Sequence, residues 1–459
     1  MKSNLQILKL LSTKAIGLLV LIGVICYTAV SFVAHSYLVS LEAADLNVFQ
    51  FIDNGRDRRT QEPANKDEAR SSHLHLQRRR PQSEPKHLSK DLIKEQNERA
   101  MKLKQHYELV YPPKKTDRIR DYVYKHLRRP FEYKTQLDVP YDIYNCPRKG
   151  PPPNYPHAWN VMDVIENWNP MITTEPERLH QSLCVFDYET DFSVAQLYRD
   201  AEVPFLLRNT PVLLQTAERW NRNPGYLSSL FQGYLEKTEH SHNNHFMYYN
   251  AKSRRLAVPQ GWEPPMELTE LTFDAWRELA DTVTTDEPDQ ERYYFRVNGV
   301  PKGLHAFLYD ELPLFRPTSD NFFMVDPDEL RGINCRFGMK GVIAETHFDE
   351  SRNFIVLLGG LRRYILAHPR ECPNLHLHPF NHPSGRHSAV DWTNPDLKAF
   401  PNFGKAQVQE VVLQAGDALY LPTLWFHFIV SLNLNYQCNA RSGTTVENFD
   451  LIRECGFLL

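Results

Sequence analysis

The chain has 459 residues and a mass of 53.7 kDa; it is 42% hydrophobic and 24% charged, with a formal net charge of −3. Those values exclude a collagen, a coiled coil, a multipass membrane protein and a wholly disordered chain, and they give no general attraction to nucleic acid. With 32 prolines, 19 glycines and 12% aromatic residues, the composition favours strands, turns and irregular loops over helical bundles.

Residues 15–34, AIGLLVLIGVICYTAVSFVA, carry no charge. At about 1.5 Å rise per residue, about 20 residues span the roughly 30 Å hydrocarbon core. Lys2, Lys9 and Lys14 precede the stretch, and Glu42 and Asp45 follow it. The positive-inside bias then puts the N-terminus in the cytosol. The expectation is a cytosolic tail over 1–14 and a transmembrane signal anchor over 15–38. The rest of this single-pass type II membrane protein would be luminal or extracellular, in the ER or Golgi. A cleaved signal peptide is the alternative, although its apolar core usually runs only about 7–15 residues.

Cys26 lies in the apolar stretch, and Cys146, Cys184, Cys335, Cys372, Cys438 and Cys455 lie outside it. An even number there permits disulfides without assigning them. No Cys-x-x-Cys and no usable N-glycosylation sequon occurs.

Residues 39–116 read as a largely disordered stem, with few apolar residues to offset ordering entropy. Arg78, Arg79 and Arg80 within it read as a solvated linker. A short helix is possible over Leu88–Leu109. Residues 117–182 are an aromatic and proline-rich lead-in, with PRKGPPPNYP (Pro147–Pro156) as a surface connection.

A compact domain is expected over 183–459. VPFLLRN (Val203–Asn209) reads as a buried strand. Phe273, Trp276 and Leu279 stand at helical spacing behind Thr272, an N-cap candidate. After Gly341 come VIAETHFD, NFIVLL, RRYILA, VQEVVL, ALYLP and WFHFIVSL, short β-rich runs separated by turn residues. Their pattern predicts a β-sandwich or barrel. Trp262, Trp276 and Trp425 read as core. His240, His242 and His245 read as a solvated loop, and His376, His378, His382 and His387 as a loop near the pocket mouth.

His347-Phe348-Asp349 is the motif that carries chemistry. Residues i and i+2 of a strand share a face, so His347 and Asp349 project together. His427, in LWFHF, can complete two imidazoles and a carboxylate, the facial donor set of non-haem Fe(II) oxygenases.

The run HFDESRNF, RRYILAHP, HPFNHPSGRHSAVDWTNPDLKAFPNF and GDALYLPTLWFHFIVSL resembles the JmjC, or cupin-like, family of 2-oxoglutarate oxygenases. It is most similar to the branch of the asparaginyl hydroxylase that inhibits hypoxia-inducible factor. The likeness is dense over about 338–443, sparser from about Leu183, where VPFLLRN and DELPLF (Asp310–Phe315) take part, and absent from the first 150 or so residues.

The resemblance implies a mainly β double-stranded β-helix, a cupin-like jelly-roll with flanking helices. It implies Fe(II), 2-oxoglutarate and O₂, with His347, Asp349 and His427 as metal ligands and catalytic residues. Asn353 and Asn439 would lie near the co-substrate. Arg362 stands where that branch has a lysine for the distal carboxylate, and its planar fork can pair bidentately with one. Arg363 and Arg441 are reserve candidates. Ala344 replaces a threonine of the branch, so one co-substrate hydrogen bond is missing there or supplied elsewhere. The helices that pair subunits in the branch would follow Leu459, which leaves the oligomeric state open.

The expected activity is a membrane-anchored 2-oxoglutarate-dependent dioxygenase hydroxylating a side chain of a protein or peptide, with no nucleic-acid partner. The alternatives are a cupin-like binding module without turnover and a JmjC-type demethylase.

Overall fold

The computed structural model describes Glu98 and residues 113–127, 135–136, 138–250, 257–283, 290–317 and 321–458. The tail, the candidate anchor over 15–38, nearly all of the stem and the Leu88–Leu109 stretch apart from Glu98 lie outside the described residues. Among the described residues, no helix is long and apolar enough to cross a membrane.

In chain order the first strands are β1 (Thr135–Gln136), β2 (Trp159–Asn160), β3 (Arg178–Leu179), β4 (Val185–Asp187), β5 (Phe205–Arg208) and β6 (Glu236–Ser241). Next come β7 (His245–Phe246), β8 (Glu267–Leu271), β9 (Arg292–Gly299), β10 (Leu330–Gly338), β11 (Ile343–Phe348) and β12 (Asn353–Gly359). The last are β13 (Leu361–Ala367), β14 (Gln407–Gln414), β15 (Ala418–Leu421), β16 (Phe426–Ser431) and β17 (Asn435–Ser442).

They build a nine-stranded sheet in the order β4-β5-β15-β12-β17-β10-β9-β6-β8 and a six-stranded sheet in the order β2-β14-β13-β16-β11-β7. β1 and β3 form a separate parallel pair. The expected mainly β architecture with flanking helices is therefore present, and the six β-rich runs after Gly341 become β11 to β16.

Period-two alternation sorts the side chains between the sheets. On β16, Phe426, Phe428 and Val430 join an outer cluster under the helix Val161–Asn167, while Ile429 joins a cluster shared by both sheets. On β13, Ile365 and Ala367 go outward, and Tyr364 and Leu366 inward. On β12 and β17, Phe354, Val356, Cys438 and Ala440 go to the other outer cluster. The shared cluster fills one part of the interior with Ile355, Leu357, Leu366, Leu413, Leu419 and Leu421.

Helices cover the nine-stranded sheet. Pro211 sits in the first turn of the helix Pro211–Arg222, where a missing N–H costs nothing. That helix is tied to β12 by Asn221 Nδ2, which donates to the Leu358 carbonyl at 2.7 Å. The helix Phe273–Thr282 begins as the sequence predicts, with the Thr272 hydroxyl accepting from the Ala275 N–H at 3.2 Å. Its Phe273 and Trp276 are buried. Trp425 is buried as well, and Trp262 only in part.

The loop reading holds for His242 and is corrected for His240 and His245. His240 is in β6 and buried, and His245 is in β7; His242 follows the end of β6 and is exposed. The segment EKTEHS has almost no apolar residue, so it carries no hydrophobic period. It is nevertheless paired on both sides, by β8 and β9.

Three disulfides close the domain: Cys146–Cys184, Cys335–Cys438 and Cys372–Cys455. They take up all six cysteines outside the apolar stretch. Cys335 and Cys438 face one another across β10 and β17. Non-reducing peptide mapping is expected to recover these three linkages. Loss of one typically costs about 2–5 kcal/mol in a small secreted domain; three reduced pairs in native protein would contradict the assignment.

Arg363 and Glu410 form an ion pair at 2.6 Å with both side chains fully buried. Removing one partner strands the other charge. Glu410→Ala is therefore expected to lower unfolding free energy by about 3–5 kcal/mol; a loss under about 1 kcal/mol in denaturant titration would show that the pair does not hold this region together.

Candidate metal and co-substrate site

β11 and β16 are antiparallel neighbours, and their register sets His347 directly opposite His427. β11 ends at Phe348, so Asp349 stands just past the strand, held by its carbonyl accepting from the Leu424 N–H at 2.8 Å. One ligand atom from each of His347, Asp349 and His427 lies within 4.8 Å of the others. The three residues picked out by spacing are thus brought together.

Backbone carbonyls set the histidine tautomers. His347 Nδ1 lies 2.7 Å from the Glu345 carbonyl, and His427 Nδ1 lies 3.1 Å from the Trp425 carbonyl. A carbonyl only accepts, so each Nδ1 carries the proton and each Nε2 keeps its lone pair for a metal. Burial, with His427 and His387 alongside, holds the His347 pKa well below 6.5. Burial also lowers that of His427. Both imidazoles are therefore neutral at neutral pH, the form that ligates.

Burial alone would raise the Asp349 pKa, but Arg441, His427, His347 and Arg386 outweigh it and hold the carboxyl low. Arg441 Nη2 lies 2.8 Å from Oδ2, and Arg386 Nη1 lies 3.7 Å from Oδ1. Oδ1 is buried with no hydrogen-bond partner among the described residues. His427 Nε2 lies 4.0 Å from Oδ2. Two neutral imidazole nitrogens beside a buried carboxylate fit a divalent iron.

Asn353 and Asn439 come from neighbouring strands. Asn439 Nδ2 donates to Asn353 Oδ1 at 2.9 Å, and Asn353 Nδ2 reaches Asp349 Oδ2 at 3.5 Å. Both are buried, Asn353 beside the Asp349 carboxylate and Asn439 behind Asn353.

Arg362 lies on the inward face of β13, the parity of Tyr364 and Leu366. It is wholly buried, yet its guanidinium has only neutral partners. Nε donates to Asn435 Oδ1, Nη1 to Gln437 Oε1 at 2.7 Å, and Nη2 to the Arg336 carbonyl at 3.3 Å. Tyr364 donates to the same Gln437 oxygen, and the Tyr294 ring lies 5.4 Å from the guanidinium carbon. No carboxylate among the described residues pairs with it. A buried cation in that state is a receptor for an anion.

Gly338 lines the same place: a Cβ there would come 3.1 Å from Arg362 Nη2. Arg362 lies opposite Ser431, and His427 opposite Leu366, so four residues of β13 separate the two positions. At about 3.3 Å per residue that is about 13 Å of backbone.

The reserve candidates fall elsewhere. Arg363 has the opposite parity and faces outward, against Glu410, the Trp168 carbonyl at 2.7 Å and the Trp168 ring at 4.3 Å. Arg441 is engaged by Asp349. Ala344 packs on the shared interior cluster and brings no hydroxyl.

Sequence reasoning missed Asn435, Gln437 and Tyr364 around Arg362, and Arg386. The first two were within reach, because polar residues recur at every second position of NYQCNARS, from Asn435 to Arg441. Arg386 was not, since it sits in the insertion between β13 and β14. His387 of that insertion is buried, forms a bridge with His347 and stacks on its ring at 5.0 Å, so the loop does reach the pocket.

The model of the cupin-like domain family matches residues 193–446. The tRNA wybutosine-synthesizing protein 5 of Gallus gallus is 38% identical over 176 residues, 37% of this chain and 53% of that protein. The JmjC domain-containing protein D of Dictyostelium discoideum is 37% identical over 105 residues, 23% of each chain. The lysine-specific demethylase 8 of Danio rerio is 35% identical over 112 residues, 24% of this chain and 27% of that protein. The chain thus spans about half the length, or less, of these relatives. With two facing sheets, an interior His-Asp-His triad and a family match over more than half of its length, the chain belongs to the cupin-like domain family, among JmjC-type relatives.

Proposed function

We propose that this chain is an Fe(II)- and 2-oxoglutarate-dependent oxygenase that hydroxylates a protein side chain on the luminal side of the secretory pathway. One observation carries the enzyme reading. The His347-Asp349-His427 triad, with Asp349 and His427 buried, His347 half-buried and the Nε2 lone pairs turned free, shares the sheet interior with a buried Arg362 that has no carboxylate partner.

Iron held by His347, Asp349 and His427 would, with 2-oxoglutarate and O₂, supply the oxidant for C–H hydroxylation, leaving succinate and CO₂. The chain's own residues place the reactants. Glu345 and Trp425 carbonyls fix the imidazole rings. Arg441 and Asn353 hold Asp349 Oδ2, the oxygen that lies 4.0 Å from His427 Nε2, and so fix the carboxylate beside the imidazoles. Asn435 and Gln437 orient the Arg362 fork towards the distal carboxylate. The apolar cluster around Leu366 and Leu421 keeps bulk water from the rest of the interior.

Two observations support the compartment. The uncharged stretch over 15–34 follows three lysines, as a type II anchor would. Three disulfides using every other cysteine fit an oxidising lumen and are rare in the cytosol. The likeness of the segment from His347 to Asn353 to the asparaginyl hydroxylase branch supports a protein side chain as the target, while Arg362 and Ala344 depart from that branch.

The names of the tRNA wybutosine-synthesizing relatives favour a second reading, hydroxylation of a tRNA base. The net charge of −3 and the disulfides weigh against it. Removal of an N-methyl group, which the demethylase names suggest, would use the same pocket with a different target.

Purified protein supplied with Fe(II) and 2-oxoglutarate should release succinate, and His347→Ala should abolish it. Equal succinate from the variant would sink the ligand assignment. Arg362→Met removes charge-assisted hydrogen bonds worth about 1.5–3 kcal/mol, so KM for 2-oxoglutarate should rise about 10- to 100-fold. An unchanged KM would mean that the distal carboxylate binds elsewhere. Protease protection in sealed microsomes should spare the domain; full digestion from outside would reverse the topology.

A further inference from the structure

A second set of metal-ligating side chains stands on the nine-stranded sheet, away from the triad's strands. β8 is the edge strand, β6 its neighbour and β9 the next. His240 on β6 is directly opposite Glu267 on β8 and Tyr293 on β9. His242 follows two residues later, and Glu291 immediately precedes β9. We propose that His240, His242 and Glu267 form a zinc-type divalent cation site, with Glu291 as the carboxylate that orients both imidazoles.

The distances carry the assignment. His240 Nδ1 lies 3.4 Å from Glu267 Oε2, and His242 Nε2 lies 3.6 Å from Glu267 Oε1. Ligands at about 2.0–2.2 Å from a tetrahedral zinc stand about 3.4 Å apart. The donor atoms of the three residues all lie within 4.8 Å of one another. The other nitrogens face Glu291: His240 Nε2 and His242 Nδ1 are each 3.7 Å from its Oε1. One carboxylate thus meets one nitrogen of each ring and a second carboxylate meets the other. That is the pattern of a ligand and the outer carboxylate that backs metal-bound histidines.

Side-chain hydrogen bonds do not account for the arrangement. Of the four imidazole–carboxylate contacts, only that from His240 Nδ1 is a hydrogen bond. His240 is 9% exposed, and its Nε2 is buried with no hydrogen-bond partner among the described residues. Its ring is held in place by stacking on Tyr293, 4.6 Å between centroids and 14° from parallel, and Tyr293 in turn donates to Glu291 Oε2 at 3.2 Å. A preset, under-bonded imidazole beside a second imidazole and a carboxylate suits a borderline cation such as Zn(II), with water in the fourth position. The ion would clamp the exposed edge strand β8 to β6.

The test uses the His347→Ala/His427→Ala protein, in which the triad can no longer hold a metal, titrated with Zn(II) alone and with Co(II) as a spectroscopic probe. One ion per chain is expected, with a four-coordinate Co(II) spectrum and a raised Tm. His242→Ala and Glu267→Gln change exposed side chains and should remove that binding with the fold retained by circular dichroism. Glu291→Gln should weaken it about 10- to 100-fold. No bound ion in the triad-less protein would overturn the site, as would binding that survives the double change of His242 and Glu267. Because succinate formation is not the readout, failure of this site and failure of the oxygenase reading are separate results.

Discussion

Because side chains alternate along a strand, the polar residues of β17 and the histidine of β16 can reach the space between the sheets only if their neighbours fill the outer clusters. Tyr436, Cys438 and Ala440 do so on β17, and Phe426, Phe428 and Val430 on β16. The residues between them, Asn435, Gln437, Asn439, Arg441 and His427, are all buried. A slip of one residue would expose this polar set and bury the wrong one. The outer apolar packing is therefore what fixes the register of the site.

The interior is divided by the same device. Leu357, Leu366, Leu413 and Leu421 make one part dry. The other part collects Asp349, the histidines His347, His387 and His427, and the arginines Arg362, Arg386 and Arg441. Arg441 has Asp349 as its counter-charge, whereas Arg362 has only amide and carbonyl oxygens. Burial of a guanidinium without a carboxylate is costly, and an incoming dicarboxylate relieves that cost. In the proposed reading, this asymmetry between Arg362 and Arg441 separates a receptor for an anion from a prop for Asp349.

Much of this was legible in the sequence where apolar alternation is strong. β11 to β16 stood out as short β-rich runs, and the spacing of His347, Asp349 and His427 led to the triad. Legibility failed where burial is achieved by pairing rather than by apolar residues. β6, with Glu239 paired to Arg296 and His305 meeting Glu236, looks like a solvated loop in one dimension. Arg362 and Arg363 are equivalent in a linear reading; the parity of β13 alone sends one to the cavity and the other to Glu410. The pairing of six cysteines likewise needed the register of β10 against β17 and contacts across 38 to 103 residues of chain.

The central claim is that the triad and Arg362 serve one bound pair, iron and 2-oxoglutarate. Anaerobic titration of the Fe(II)-loaded protein with 2-oxoglutarate, followed by its visible charge-transfer absorption, tests this most directly. A saturable band is expected in the wild-type chain, absent in His347→Ala and shifted to higher 2-oxoglutarate concentration in Arg362→Met. Iron bound at the triad with no band at any 2-oxoglutarate concentration would contradict it.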